Sequence, residues 1–252
     1  FKYEKNESGY PPVSECKLPG SYNVYIVTDN TGSDYAAGES FVGAFSISRG
    51  NLTAANFQVT GLTHDYNGSP KKATVTLKPG VEGVGDFVVY YEGVAPTAYT
   101  RQTTAPTDAG SYKVSVDVAT GDYYNDVNNL ELGTLTINAV AATGLTVQNG
   151  GGKSTIVGEG DFAQPTFTRA DGVAVSGTLT YTITDISNGA TAVTNGNYNA
   201  AKASLAVLNK DKTVSVTYTF TPDGGNYTGT KTGSFNVTAM DIAFTVDGAT
   251  AV

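Results

Sequence analysis

Apolar and polar residues alternate with a period of two along several short stretches of this 252-residue chain. Such alternation is typical of strands that bury one face. In the middle of the chain, the candidate strands are Phe57–Val59, Ala73–Leu77, Phe87–Tyr91, Tyr112–Val118 and Thr134–Ile137. No stretch of ten or more residues carries the 3.6-residue apolar period of an amphipathic helix. The pattern predicts an antiparallel, all-β, sandwich-like fold.

The same pattern recurs along the chain. Residues 18–48 and 107–137 share a Gly-Ser-Tyr segment, which leads into an alternating strand, an acidic glycine-containing loop and a second alternating strand. Tyr22 and Tyr112 are 90 residues apart, and so are Ile47 and Ile137. Residues 212–238 form a weaker third copy. The period of about 90–100 residues is the size of a small sandwich domain.

The repeat predicts where the domains lie. Phe1–Glu4 aligns with Val89–Glu92, and residues 241–246 resemble the opening strand at 51–59. We therefore expect the chain to be a segment of a longer tandem array. Both of its ends are expected to fall inside a repeat, so that the first and last repeats are truncated. The expected divisions are the C-terminal part of a first repeat at 1–49, a complete repeat at 50–139, a divergent domain at 140–239 and the opening strand of a further repeat at 240–252.

Composition narrows the possible functions. The chain has 30 Gly, 15 Lys and Arg against 23 Asp and Glu, and a net charge of −8, which would repel a nucleic-acid backbone. One His and one Cys leave little material for a Ser–His–Asp triad or a zinc cluster, and the single Cys16 excludes an intrachain disulfide. No run of about 18 apolar residues occurs, so no membrane insertion is expected in this segment.

Three motifs carry a family resemblance. Tyr66-Asn67-Gly68-Ser69-Pro70-Lys71, the segment 106–114 and Gly133-Thr134-Leu135-Thr136-Ile137 resemble the mostly-beta glycine-rich (MBG or YDG-type) repeat. The resemblance is good over 51–138, partial over 1–48 and weak over 140–238. It implies tandem Ig-like β-sandwich modules, arranged as a rod on large bacterial proteins that are displayed at the cell surface or secreted. It also implies neighbouring repeats of the same protein as partners, with host surfaces or glycans as further candidates, and no catalytic residues.

The signature residues have an expected structural role. They are Gly20, Tyr22, Tyr66, Asn67, Gly68, Pro70, Gly110 and Tyr112. Asn67 and Gly68 tolerate a positive φ and Pro70 fixes the exit from the turn. Gly110 is expected to let the backbone bend tightly into a strand. Tyr112 is expected to bury its ring while its hydroxyl bonds to a nearby carbonyl, as in a tyrosine corner.

Other groups offer chemistry that we interpret as structural. His64 and Asp65 are the residue types of a general base and the carboxylate that orients it. We interpret His64 instead as a polar histidine in a turn. The tract 150–155 lacks the spacing of a phosphate-binding loop and is interpreted as a hairpin loop. The acidic loops at 29–34, 121–126 and 222–226 lack the EF-hand register, so no cofactor is expected, with calcium as the alternative. An internal Lys–Asn isopeptide crosslink is a further alternative, and no enzyme activity is expected.

Three functions follow from these observations. The first is a non-catalytic stalk or adhesive fibre of a large bacterial surface protein. The second is a module that binds a glycan or host protein through exposed tyrosines, of which the candidates are Tyr90, Tyr91, Tyr99, Tyr123 and Tyr124. The third is a fibre subunit that polymerises by strand exchange through residues 241–246.

Overall fold

The computed structural model describes residues 1–6, 12–13, 15–28 and 36–241. The strands that begin before residue 139 are β1 (Lys2–Lys5), β2 (Gly20–Thr28), β3 (Gly38–Ile47), β4 (Phe57–Thr60), β5 (Thr63–Asp65), β6 (Thr74–Leu77), β7 (Phe87–Gly93), β8 (Gly110–Val118) and β9 (Val127–Asn138). The later elements are β10 (Val140–Ala141), β11 (Thr146–Gln148), β12 (Lys153–Ile156), β13 (Thr166–Thr168), β14 (Gly177–Ile183), β15 (Val193–Gly196), α1 (Tyr198–Ala206), β16 (Thr213–Pro222), β17 (Tyr227–Thr228) and β18 (Lys231–Met240). Short 3-10 turns occupy Ala54–Asn56 and Ala142–Gly144. The all-β prediction is confirmed, and all five strands predicted in the middle of the chain are present.

The chain divides into two compact units. The first contains Phe1–His64 and Pro70–Thr136, and the second contains Asp65–Ser69 together with the chain from Ile137 onward. The predicted divisions at 49–50, 139–140 and 239–240 stay predictions. Apart from Met240 and Asp241, the segment 240–252 lies outside the described residues.

Two groups of strands in the first unit share one register. Strand β1 pairs with β2 so that Tyr3 lies opposite Val24, and β7 pairs with β8 so that Tyr91 lies opposite Val114. Tyr3 also bridges to Val13, and Tyr91 bridges in the same antiparallel way to Gln102. The partners of β1 and β7 therefore follow the alignment of Phe1–Glu4 with Val89–Glu92.

Residues 50–138 form a small sandwich. Strands β5, β9, β8 and β7 make a four-stranded sheet in that order, and β4 pairs antiparallel with β6. Apolar side chains from both layers share a core, in which Leu52, Phe57, Val116 and Val118 are buried. The period-2 pattern holds because alternate residues of β8 point into this core.

The β1–β2–β3 sheet of the first unit is covered less completely. Tyr22 is buried, but Ile26 is 44% exposed and Phe45 is 39% exposed. At the matching positions 90 residues later in the sequence, Val116 of β8 and Leu135 of β9 are fully buried. The same strand pattern thus produces a closed core in one place and a partly uncovered apolar face in the other.

The second unit is built on a five-stranded sheet in the order β12-β18-β16-β14-β15. Strand β16 buries every second residue, and its buried members are Val214, Val216, Tyr218 and Phe220. The core also includes Phe162, Phe167 and Phe235, and the Phe167 and Phe220 rings stack with centroids 3.9 Å apart.

Some strand pairs of the described residues differ from the purely antiparallel prediction. Strand β12 pairs with β18 and β10 pairs with β17, both in parallel. The interpretation of 150–155 as a hairpin loop is therefore wrong. From Lys153 onward this tract is a strand, because its backbone pairs with the distant β18 instead of folding back on its neighbour.

The helix α1 is an element that the sequence pattern did not predict. Asn197 caps it, because the Asn197 side chain accepts a hydrogen bond from the Ala200 amide at 3.1 Å. Ala201 and Leu205 are buried on its inner face, four residues apart. At nine residues, the helix is too short and too alanine-rich for its apolar period to stand out.

Candidate functional site

Two tyrosines form the same local arrangement. The Tyr112 ring is buried and its hydroxyl donates to the Asp108 carbonyl at 2.7 Å. The Tyr22 ring is buried and its hydroxyl donates to the Leu18 carbonyl at 2.6 Å. Each bond reaches back four residues, as in a tyrosine corner. Burial, and secondarily the nearby Asp108 carboxylate, raises the pKa of Tyr112 above its usual value.

The glycine two residues before each tyrosine is required for different reasons. Gly20 has a φ of +151°, a conformation that L-residues rarely adopt. Gly110 is not in that region, and the expected tight bend there stays a prediction. A Cβ at Gly110 would instead lie 2.6 Å from Thr97 Oγ1, so close packing excludes a side chain.

The Tyr66–Pro70 turn belongs to the second unit through residue 69. The Asn67 side chain accepts a hydrogen bond from the Ser69 amide at 3.1 Å, which makes an Asx turn. Gly68 has a φ of +79°, and a Cβ there would also collide with the Arg169 guanidinium. Pro70 is exposed and follows the turn. At Gly68 the turn therefore combines a positive φ with a close neighbour that the sequence did not indicate.

That neighbour belongs to a network of polar contacts. Arg169 donates from Nε to Asp171 Oδ1 at 3.1 Å and from Nη2 to Asp171 Oδ2 at 2.6 Å. Its Nη1 donates to the Tyr66 hydroxyl at 3.2 Å. Hydrogen bonds from Arg169 and then from the Val173 amide hold the pKa of Asp171 below its usual range. Asp171, and secondarily Tyr66, raises the pKa of Arg169 further above its usual value, so the pair stays ionised at ordinary pH.

A pocket of about 400 Å³ opens beside this network. Its apolar wall includes Val140, Ala141 and Leu145, and Tyr66 and Tyr227 lie edge to face with ring centroids 5.6 Å apart. In the described part of the chain, the buried Tyr227 hydroxyl has no hydrogen-bond partner. Burial raises the pKa of Tyr227 above its usual value.

The residues considered for catalysis and metal binding have other partners. A His64 ring nitrogen lies 2.9 Å from the Gly61 carbonyl, while Asp65 Oδ1 accepts from Asn138 Nδ2 at 3.1 Å. Adjacent residues of β5 point to opposite faces, so the two side chains do not form a base and its orienting acid. Within the described residues, no group of three His, Cys, Asp or Glu side chains could hold a metal. The loop 29–34 lies outside the described residues, and the calcium alternative stays a prediction.

The isopeptide alternative also stays a prediction. It needs a buried lysine beside an asparagine and an acid. In the described ranges, the buried polar side chains are Ser115, Thr155 and Ser204, so none of the described lysines is buried.

The tyrosines considered as stacking faces are mostly covered. Tyr91 is buried and its hydroxyl accepts from the Ala73 amide at 3.1 Å. The Arg101 guanidinium covers Tyr90 at 3.7 Å from the ring centroid, and the Tyr99 ring packs edge-on against Tyr112. Tyr124 packs against the core around Phe57, which leaves Tyr123 as the exposed member of the set. Of the five tyrosines expected to be exposed, Tyr91 is therefore buried, three are half-buried, and Tyr123 alone of the set is exposed.

Sequence reasoning missed Arg169, Asp171 and Tyr227. A weak signal was present, because Arg169-Ala170-Asp171-Gly172 combines an ion-pair spacing with a glycine turn. The structure confirms this turn, in which Gly172 has a φ of +82° and its amide bonds to the Arg169 carbonyl. The meeting of Tyr66 with Arg169 and Tyr227 depends on tertiary structure.

No helix in the described part of the chain has the length and apolar character needed to cross a membrane.

Comparisons with known proteins give one family match. Residues 55–141 match the model of the MBG domain. Among solved structures, the chain is similar to the crystal structure of Drosophila N-cadherin EC1-3, with 10% identity and a TM-score of 0.28. That similarity covers 71% of this chain and 64% of the cadherin chain, and a score this low says nothing further about the fold. No curated protein matches the chain significantly.

Proposed function

Since residues 55–141 belong to the MBG domain family, we propose that the chain is a non-catalytic segment of a large bacterial surface protein, serving as a stalk or adhesive fibre. It acts outside the cell, displayed or secreted, and needs no cofactor. Its partners are neighbouring repeats of the same protein, and at the distal end of the fibre a host surface or glycan.

One observation carries this proposal. Strands β1 and β2 reproduce the register of strands β7 and β8, with Tyr3 opposite Val24 as Tyr91 is opposite Val114. Both tyrosine corners are present as well. A module that recurs with its hydrogen-bond pattern intact supports a tandem array, and tandem arrays of small sandwiches are suited to spanning distance.

The strand order of the second unit supports a mechanical role. Strands β12 and β18 are neighbours and run parallel, with Lys153 opposite Val237 and Ile156 opposite Met240. Tension applied before β12 and after β18 pulls the two strands past each other. All of their hydrogen bonds must then break together, whereas tension applied at one shared end breaks them in sequence.

Force spectroscopy tests this role in a Cys16→Ser background. Attachment through Gly152→Cys and Asp241→Cys loads the pair in shear, and attachment through Val157→Cys and Asp241→Cys unzips it. We expect a clearly higher unfolding force in the first geometry. Equal forces in both would contradict a force-resisting role.

Small-angle X-ray scattering tests the rod. A compact globule of this length has a radius of gyration of about 18 Å. We expect a distinctly larger value and a distance distribution skewed towards long distances. A value near that of the globule would remove support for a stalk.

The partly uncovered face of the β1–β2–β3 sheet favours strand exchange as a second candidate. Ile26 and Phe45 are partly exposed there, and a strand of another molecule could cover them. The proposed donor, residues 241–246, lies outside the described residues apart from Asp241. Light scattering over a concentration series would show oligomers that Phe244→Asp abolishes, and a monomer at every concentration would eliminate this candidate.

A further inference from the structure

The pocket beside Arg169 has the features of a ligand site. Its volume of about 400 Å³ falls in the range of small-molecule pockets, and its surface combines an apolar wall with a few polar groups at one side. The residues that line it all belong to the second unit. A bound molecule would therefore contact a single compact unit.

The charges of the pocket favour an uncharged ligand. Arg169 is the cation that lines it, and its guanidinium is engaged by Asp171 through two hydrogen bonds and by Tyr66 through a third. An anion would have to displace the Asp171 carboxylate. A cationic ligand would be repelled by Arg169, which lies beside the same carboxylate.

The polar groups favour a ligand with hydroxyls. Asp171 and Ser69 are exposed at the pocket, and both side chains can bond to hydroxyl groups. The Tyr227 hydroxyl is buried with no partner among the described residues, an unusual and costly state. A hydroxyl of a bound molecule can supply that partner once the pocket side chains adjust.

The wall favours a ring with one apolar face. Val140, Ala141 and Leu145 offer aliphatic contact, and the Tyr66 and Tyr227 rings meet at 80°. Aromatic groups carry apolar faces together with hydrogen-bonding edges. A pyranose ring matches both halves of this surface, because its C–H groups form an apolar face and its hydroxyls lie around the edge.

We propose that the pocket formed by Tyr66, Arg169, Asp171 and Tyr227 binds a neutral sugar residue of a glycan. This site is independent of the proposed stalk role, since it needs only the second unit. A fibre that carried it would bind glycans along its length as well as at its tip.

Two probes that differ in one group test the charge argument. Methyl β-D-glucopyranoside and methyl β-D-glucuronide share a ring, but the second carries a carboxylate. Titration of the full chain, followed by ligand-observed and protein-observed NMR, is expected to show the glucoside binding about tenfold more tightly. In Asp171→Asn, which keeps the turn residue but exposes the Arg169 charge, this preference should disappear or reverse.

Two substitutions of alanine by tryptophan test the location of the binding site. Ala141→Trp fills the pocket and should weaken glucoside binding at least about tenfold. Ala192→Trp adds the same side chain at an exposed position of the second unit that does not line the pocket, and should leave binding unchanged. Tyr227→Phe should weaken binding several-fold without loss of folded protein.

Some results would overturn the proposal. They are no saturation by either glycoside at millimolar concentration, binding that Ala141→Trp leaves intact, and tighter binding of the glucuronide by the unaltered chain. Binding of a proline-rich peptide in this pocket where the glycosides fail would also overturn it and assign the pocket to a protein partner. Each result is separable from failure of the stalk proposal, which scattering and force measurements decide.

Discussion

Tyr112→Phe and Tyr227→Phe make the same chemical change, yet the structure predicts opposite effects on stability. The Tyr112 hydroxyl donates to the Asp108 carbonyl at 2.7 Å. The Tyr227 hydroxyl is buried and has no partner within the described residues. Removing the first hydroxyl breaks a hydrogen bond, whereas removing the second deletes a polar group that is buried without compensation.

The magnitudes follow from these environments. Loss of the Tyr112 hydrogen bond should cost about 1 kcal/mol, because Asp108 is exposed and its carbonyl can bond to water in the variant. Tyr227→Phe loses no hydrogen bond and removes a desolvation penalty, so the free energy of unfolding should rise by up to about 1 kcal/mol. Tyr22→Phe is a matched control for the first change, since its hydroxyl makes the same bond to Leu18.

Native-state hydrogen exchange read by mass spectrometry separates the two units. About 1 kcal/mol corresponds to a roughly fivefold change in exchange rate when the opening equilibrium determines that rate. Amides of β8 should exchange about fivefold faster in Tyr112→Phe, and those of β16 should exchange more slowly or unchanged in Tyr227→Phe. Unchanged β8 exchange in Tyr112→Phe, or accelerated β16 exchange in Tyr227→Phe, would refute the reasoning.

The remaining predictions concern glycine, acid and metal. Gly80→Ala should cost about 1 kcal/mol, since its φ is +83° with open space around it, and Gly68→Ala should cost more because Arg169 also blocks the Cβ. If chemical denaturation showed the same loss in free energy of unfolding for Gly80→Ala and Gly68→Ala, the Arg169 contact would be excluded. The Asn129 amide, and then Arg101, hold the pKa of Asp117 below its usual range, so its stabilisation is present above that range and lost as pH falls through the lowered value. The stability advantage over Asp117→Asn should therefore vanish in acid, and an advantage that persists below the lowered value would contradict this. EDTA should leave the melting temperature unchanged, and a drop would instead support calcium in the acidic loops.

Strands were predictable where the burial pattern is local. In β8 and β16, alternate residues are buried in a core, so the period-2 pattern of apolar residues directly indicates a strand. The tyrosine corner was predictable for the same reason, because Tyr112 and Asp108 are four residues apart. The parallel pairing of β12 with β18 was not, since its partners are more than eighty residues apart and no local pattern identifies them.

The candidate pocket depends on contacts that the local sequence did not predict. The sequence predicts a turn at Tyr66–Pro70, and the positive φ at Gly68 agrees with this prediction. The structure gives the same glycine a second constraint, because the Arg169 guanidinium lies where a side chain would be. A residue chosen for backbone freedom thus also creates room for the ion pair that borders the pocket. Turn chemistry and site geometry are coupled at Gly68, so its replacement should impair stability and glycoside binding together, whereas Gly80→Ala should affect stability alone.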